Sequence, residues 1–184
     1  MIDTTCDQNL EMEQQYNFDV IPLSITLENQ TYLDGEEITV DAVYKAMRSG
    51  VVPKTSQISY ESLTKAVDKN ILENEDMIYL TFSSEMSGTY QFAYQIIEEY
   101  KKTNPEMKIA LIDSRGGAGG GALIALQALK MIEAGESFEK VVSQMEWNIE
   151  HVHYKFTLRE LDWLVKGGRV NKAAGYVGTA LNIK

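Results

Sequence analysis

The sequence predicts an α/β protein built on a mostly parallel, doubly wound sheet, and three observations carry that expectation. Short apolar runs such as Met77–Phe82 and Ile109–Ile112 have the pattern of buried strands. Between them lie stretches of ten or more residues with helical spacing, and strands alternating with such helices build βαβ units. Hydroxyl- and glycine-rich segments follow the apolar runs directly, where the carboxyl ends of parallel strands gather their ligands.

Taken in order, Phe18–Ile25 reads as a strand, with Pro22 marking an edge or a bulge. Thr39–Ser49 has helical spacing, with Thr39 placed to cap its start and Gly50 just past its end. Ser59 caps a second helix running to about Asn70. Met77–Phe82 is a buried strand and Gly88–Lys101 the helix after it. Ile109–Ile112 is the next strand, followed by a glycine-rich turn and a helix from about Gly121 to Ala134, closed by Gly135. That helix is apolar on nearly every face between Ala122 and Ile132, the pattern of a buried helix or of a tunnel wall. Phe138–Ile149 is amphipathic, Tyr154–Leu158 suggests one more strand, and Arg159–Val165 a short helix. A domain boundary falls near His151, after which no complete unit is legible.

Composition excludes several classes. With a net charge of −10, the chain repels nucleic-acid phosphate and anionic headgroups, and no run of Lys and Arg offsets this, so nucleic acid is not an expected partner. No segment approaches the roughly 18 consecutive apolar residues of a membrane span, and the start lacks the basic region of a signal peptide. Cys6 is the single cysteine, which rules out an internal disulfide and favours a cytoplasmic setting. Neither a cofactor nor a metal is expected: His151 and His153 have no acidic or cysteine ligand near them in sequence, and no Gly-x-Ser-x-Gly elbow is present.

Three loops draw attention. Ser83–Thr89, Ser-Ser-Glu-Met-Ser-Gly-Thr, lies between a strand and a helix, where hydroxyls and N–H groups favour an anion; helix capping by Ser87 or Thr89 is the plain alternative. Lys54–Ser59 is a second hydroxyl-rich connection. Together they offer neutral donors, which suit one carboxylate better than a triphosphate. The third, from Asp113, contains Gly117-x-Gly119-x-x-Ala122, a loose dinucleotide fingerprint without the acidic residue that should end the next strand. Close packing of helix on sheet, or a wall left open for a ligand, explains those glycines better.

Thr55-Ser56-Gln57, then Ser83-Ser84-x-x-Ser87-Gly88-Thr89-Tyr90, then Lys166-Gly167-Gly168-Arg169 closely resemble the DegV family in order and spacing. Asp34-Gly35, Asp113-Ser114 and the ending Leu181-Asn182-Ile183-Lys184 add to the resemblance, which covers almost the whole chain. The resemblance implies a two-domain carrier that holds a long-chain fatty acid between its domains and presents it to a fatty acid kinase, with no catalysis of its own. It implies that Thr55 and Ser84 hydrogen-bond the carboxylate, that Ser56, Ser87, Gly88 and Thr89 shape the loop, and that Arg169 sits near the carboxylate or on the kinase-facing surface. Family members begin with a full strand ending in Asp-Ser, where this chain opens Met1-Ile2-Asp3-Thr4, and they continue past the Asn-Ile-Lys motif. By the same resemblance, residues 1–150 form the first α/β domain and 151–184 the incomplete start of the second. Two other readings stand beside this one: a small-molecule enzyme using Ser84 or Ser87 as nucleophile or phosphate holder, with only His151 and His153 to serve as base, and an interaction module without ligand.

Overall fold

In the computed structural model the described residues are 1–7, 10–157 and 161–171. In chain order they form β1 (Ile2–Asp3), α1 (Leu10–Gln15), β2 (Val20–Ile21), β3 (Ser24–Leu27), β4 (Gln30–Leu33), α2 (Val40–Arg48), β5 (Lys54–Ser56) and α3 (Tyr60–Glu73). Then follow β6 (Met77–Thr81), α4 (Thr89–Thr103), β7 (Ile109–Asp113), α5 (Ala118–Glu133), α6 (Phe138–His151) and α7 (Asp162–Lys166).

The central sheet is parallel, in the order β2-β1-β6-β7. Its strands are apolar on both faces because both are covered. Met77 and Tyr79 of β6 and Ile109 of β7 pack with Leu63 and Val67 of α3 and with Ala93 and Ile97 of α4. The alternate residues Leu80 and Ile112 turn to the other side, against Ile124 and Ala128 of α5 and Val141 and Met145 of α6. This is the doubly wound arrangement that the strand–helix alternation predicts.

Local chemistry sets the helix ends. Thr39, Ser59 and Ser137 each accept a hydrogen bond from the backbone N–H three residues on, at 3.3, 3.0 and 3.3 Å. Asn74 ends α3 in the left-handed conformation, at φ 54°.

Several elements differ from the sequence reading. Phe18–Ile25 is not one strand: Pro22, which cannot donate to a ladder, separates β2 in the parallel sheet from β3 in a second, antiparallel sheet of order β4-β3-β5. Lys54–Ser56 is a strand of that second sheet rather than a βα loop. The glycine-rich turn is shorter than expected: Gly116 and Gly117 lie in it, while Gly119, Gly120 and Gly121 lie in the first turns of α5. That helix is not buried all round, since Leu123 and Ile132 are exposed. Residues 154–157 are not a strand, and the short helix proves to be Asp162–Lys166. The Leu181–Lys184 motif lies outside the described residues, as do Leu158, Arg159 and Glu160.

Candidate functional site

All four strands of the parallel sheet deliver their carboxyl ends to one edge, so the segments after Asp3, Ile21, Thr81 and Asp113 meet there. Asp3 organises this edge. Its side chain is buried, accepts a hydrogen bond from the Phe82 N–H at 2.7 Å and from the Thr5 N–H at 3.0 Å, and is bonded by the Thr5 hydroxyl. Burial holds its carboxyl above the usual range, against the pull of those donors. The loops after β6 and β7 are stitched together as well: the Ser83 N–H donates to the Gly116 carbonyl at 3.0 Å, and the Ser114 N–H to the Thr81 carbonyl at 3.1 Å.

Within the Ser83–Thr89 loop the hydroxyls divide into two kinds. Ser83 and Thr89 are buried, and the Ser87 and Thr89 hydroxyls lie 2.9 Å apart while Ser87 Oγ accepts from the Thr89 N–H at 3.2 Å. These groups shape the entry to α4, but neither Ser87 nor Thr89 caps it: the N-cap position is Gly88, with no side-chain cap bond. Ser84 is exposed and bonds across to the neighbouring strand end. Its hydroxyl donates to Asp113 Oδ2 at 2.5 Å, and its N–H donates to Asp113 Oδ1 at 3.1 Å.

The structure brings two other segments to this loop. Gly88 lies against the Gln57 side chain so closely that a Cβ at position 88 would overlap the amide oxygen. Gln57 directly follows β5, on which Thr55 and Ser56 are both exposed. From the far end of the described chain, Arg169 Nε donates to the Met86 carbonyl at 3.3 Å, while another guanidinium nitrogen donates to the Gly167 carbonyl at 2.6 Å. Gly168, at φ 76°, supplies the left-handed turn after α7 that brings Arg169 to this position.

The glycine run has a different occupant. Cβ atoms at Gly116 and Gly120 would overlap the ring of Tyr154, and one at Gly117 would meet the ring of Phe82. The Tyr154 hydroxyl donates to the Ser114 carbonyl at 3.1 Å, and burial, with Cys6 and Asp113 nearby, keeps its phenol neutral by raising its pKa. Aromatic rings therefore stand against the backbone of the fingerprint-like segment.

Cys6 and the histidines stand apart from this edge's exposed groups. Burial pushes the Cys6 thiol up to about 12, which leaves it an unreactive packing group. His151 ends α6, its ring stacked on Trp147 at 3.9 Å and its Nδ1 2.7 Å from the Trp147 carbonyl. His153 is exposed in the segment beyond, so the two histidines do not form the matched pair a strand there would give. Asp113, Tyr154 and Asp3 are the site residues that motif reading underweights. Their only sequence signals are an acid closing a strand and an aromatic with no periodicity to explain it.

A doubly wound sheet whose carboxyl edge presents serine, threonine and backbone donors, with one arginine anchored beside them, defines an α/β protein with a polar candidate site at the ends of its parallel strands. The chain matches the family described as "Uncharacterised protein, DegV family" over residues 1–184, and it belongs to the DegV family. It is 34% identical over 183 residues to the DegV domain-containing protein CPE1310 of Clostridium perfringens, covering 99% of this chain and 64% of that one. Among solved structures it is similar to a fatty-acid-binding DegV family protein from Thermus thermophilus, with a TM-score of 0.82 and 30% identity over 98% of this chain and 63% of that one. It is also similar to the Streptococcus pneumoniae Fatty Acid Kinase (Fak) B3 protein loaded with linoleic acid, with a TM-score of 0.78 and 26% identity over 96% of this chain and 62% of that one. The chain thus spans about 63–64% of the length of the curated relatives it matches.

Proposed function

We propose that this chain belongs to a carrier that binds a long-chain fatty acid, holds its carboxyl group at the Ser84 loop and presents it to a fatty acid kinase without catalysing a reaction itself. One observation carries the reading. Three segments far apart in sequence, Thr55–Gln57, Ser83–Thr89 and Lys166–Arg169, meet at one edge of the sheet, through Gln57 on Gly88 and Arg169 on the Met86 carbonyl. Thr55 and Ser84 are the exposed hydroxyls we assign to the carboxyl group, and Ser56 lies beside Thr55 on the same strand. Ser87, Gly88 and Thr89 set the loop's shape. The fatty acids named with its structural relatives support the substrate class, and the Fak B3 protein supports a kinase as partner.

The energetics suit this assignment. Burying an acyl chain contributes about 0.8 kcal/mol per CH₂, so some fourteen methylenes give on the order of 11 kcal/mol before ordering costs. Affinity then comes from the chain, and the polar edge needs only to satisfy and place the head group. Nothing in such a scheme calls for a general base: the Ser84 hydroxyl donates to a carboxylate and not to a histidine. A reduced, cytoplasmic setting accords with the lone buried thiol of Cys6.

Native mass spectrometry of the purified protein, followed by mild denaturation, tests the reading. Release of a C16–C18 acid is the expected result. A released nucleotide, or saturable binding of one, would replace the carrier with the small-molecule enzyme.

A further inference from the structure

We propose that Asp113 is a positioning residue that accepts the hydrogen bond of the Ser84 hydroxyl, so that Ser84 keeps its proton directed at Asp113, offers its lone pairs to the ligand, and the site accepts a fatty acid in its protonated form. The inference rests on the fatty-acid reading above and specifies which protonation state that site selects.

A serine hydroxyl has one proton and two lone pairs, whereas an ionised carboxylate only accepts. With Ser84 Oγ 2.5 Å from Asp113 Oδ2, the proton lies in that bond, at a length typical of a charge-assisted O–H···O⁻ contact. The carboxylate is not free to swing away. Its other oxygen, Oδ1, accepts from the Ser84 N–H at 3.1 Å and from the Arg115 N–H at 3.0 Å. Arg115 is itself held in the left-handed region, at φ 52°. Asp113 is thus clamped by backbone donors, and the direction of the Ser84 proton follows from that clamp.

An ionised ligand carboxylate placed at Ser84 would meet the lone pairs of Oγ, with a second carboxylate one hydrogen bond behind. A neutral carboxylic acid avoids both penalties. Its O–H donates to Ser84 Oγ, and its carbonyl oxygen remains to accept from the Thr55 hydroxyl. The charged and titratable groups of the surrounding segments are Asp3, Asp7, Lys54, Glu85, Arg115, Tyr154, Lys166 and Arg169. Asp3 is committed to the Phe82 and Thr5 donors, and Lys54 and Lys166 are exposed to solvent, Lys166 over the Trp163 ring. Glu85 and Asp7 add negative charge. Tyr154 is neutral with its hydroxyl on the Ser114 carbonyl, and Arg169 commits its Nε and one terminal nitrogen to the Met86 and Gly167 carbonyls. Arg115 is exposed to solvent, which screens its charge.

The test is the affinity of the purified chain for oleic acid, kept below its aggregation threshold, between about pH 6 and 9. Free carboxyl groups have pKa values near 4–5 and are ionised across that range. Binding the neutral form therefore takes up one proton, and Kd should rise about tenfold per pH unit. Asp113→Asn should flatten the profile and tighten binding at high pH, because its amide nitrogen can donate to Ser84 Oγ and turn the hydroxyl proton toward the ligand. If Asp113→Asn does not fold, Ser84→Ala, which removes the acceptor, should flatten the profile instead. A pH-independent Kd in the unmodified chain overturns the proposal, as does a variant that keeps the full slope. Failure of the unmodified chain to bind oleic acid at any pH rejects the fatty-acid reading, and this proposal with it.

Discussion

Two strand-to-helix loops lie side by side at the carboxyl edge of the sheet, and they have been put to opposite uses. After β7, Gly116, Gly117 and Gly120 present backbone without side chains, and the rings of Tyr154 and Phe82 fill the space. After β6, Ser84 and Gly88 remain exposed, with Gln57 and Arg169 drawn in at the margin. Glycine in one loop serves close packing, while hydroxyls in the other stay available to a ligand. A motif that resembles a nucleotide fingerprint is thus the packed region, and the plainer serine-rich loop is the open one. What separates them is the space around each backbone, which a short motif does not encode.

The largest stability effect should come from Asp3, which holds the start of the open loop through the Phe82 N–H. Asp3→Ala leaves two backbone donors without their acceptor and should cost about 2–6 kcal/mol, at roughly 1–3 kcal/mol each, measured by denaturant unfolding. In the unmodified protein, burial keeps the Asp3 pKa above its ordinary 3.8, so the folded state retains that proton longer than the unfolded chain as pH rises. Stability should fall as pH climbs from the unfolded value through the folded one, and the alanine variant should lack that slope. A variant as stable as the parent would show that the edge is held by something other than this carboxylate.

Two neighbouring glycines sharpen the contrast next. Gly120→Ala drives a methyl group into the Tyr154 ring and should destabilise by about 1–3 kcal/mol despite alanine's better helix propensity. Gly119→Ala meets nothing closer than 3.9 Å, at Asp7 Oδ2, and should be neutral or stabilising by up to about 1 kcal/mol. Opposite signs at adjacent positions would establish packing as the role of the glycine run. Equal effects in thermal melts would remove that explanation. The smallest change is expected for Arg169→Ala. Its bonds to the Met86 and Gly167 carbonyls are exposed, so stability should change by less than about 1 kcal/mol, while acyl-phosphate formation with a cognate kinase should drop. Unchanged turnover would reduce Arg169 to a solvated turn residue.

Much of this architecture was legible in the sequence because its signals are local. Thr39 and Ser59 announce the helices they cap, and the apolar runs at Met77 and Ile109 announce strands covered on both faces. The antiparallel sheet was not legible. Pro22 looks the same whether it bends one strand or hands the chain from one sheet to another, and Lys54–Ser56 carries no apolar alternation because all three residues are exposed. At the site, the serine and threonine motifs stand out by composition. The bond from Ser84 to Asp113 spans 29 residues and depends on β6 and β7 being neighbours, which no spacing rule reports. Tyr154 was hidden for the same reason: its ring belongs to the glycines 34 to 38 residues earlier only once the sheet is assembled.

The measurement that bears most directly on the central claim is fatty-acid affinity in the double variant Thr55→Ala, Ser84→Ala, compared with the parent at one fixed pH and paired with a thermal melt of each. Both side chains are exposed, so the melts should nearly coincide. Losing two head-group hydrogen bonds of about 1 kcal/mol or more each should weaken binding roughly 10- to 100-fold. Parental affinity in a folded double variant would contradict the assignment of the open serine loop as the head-group site.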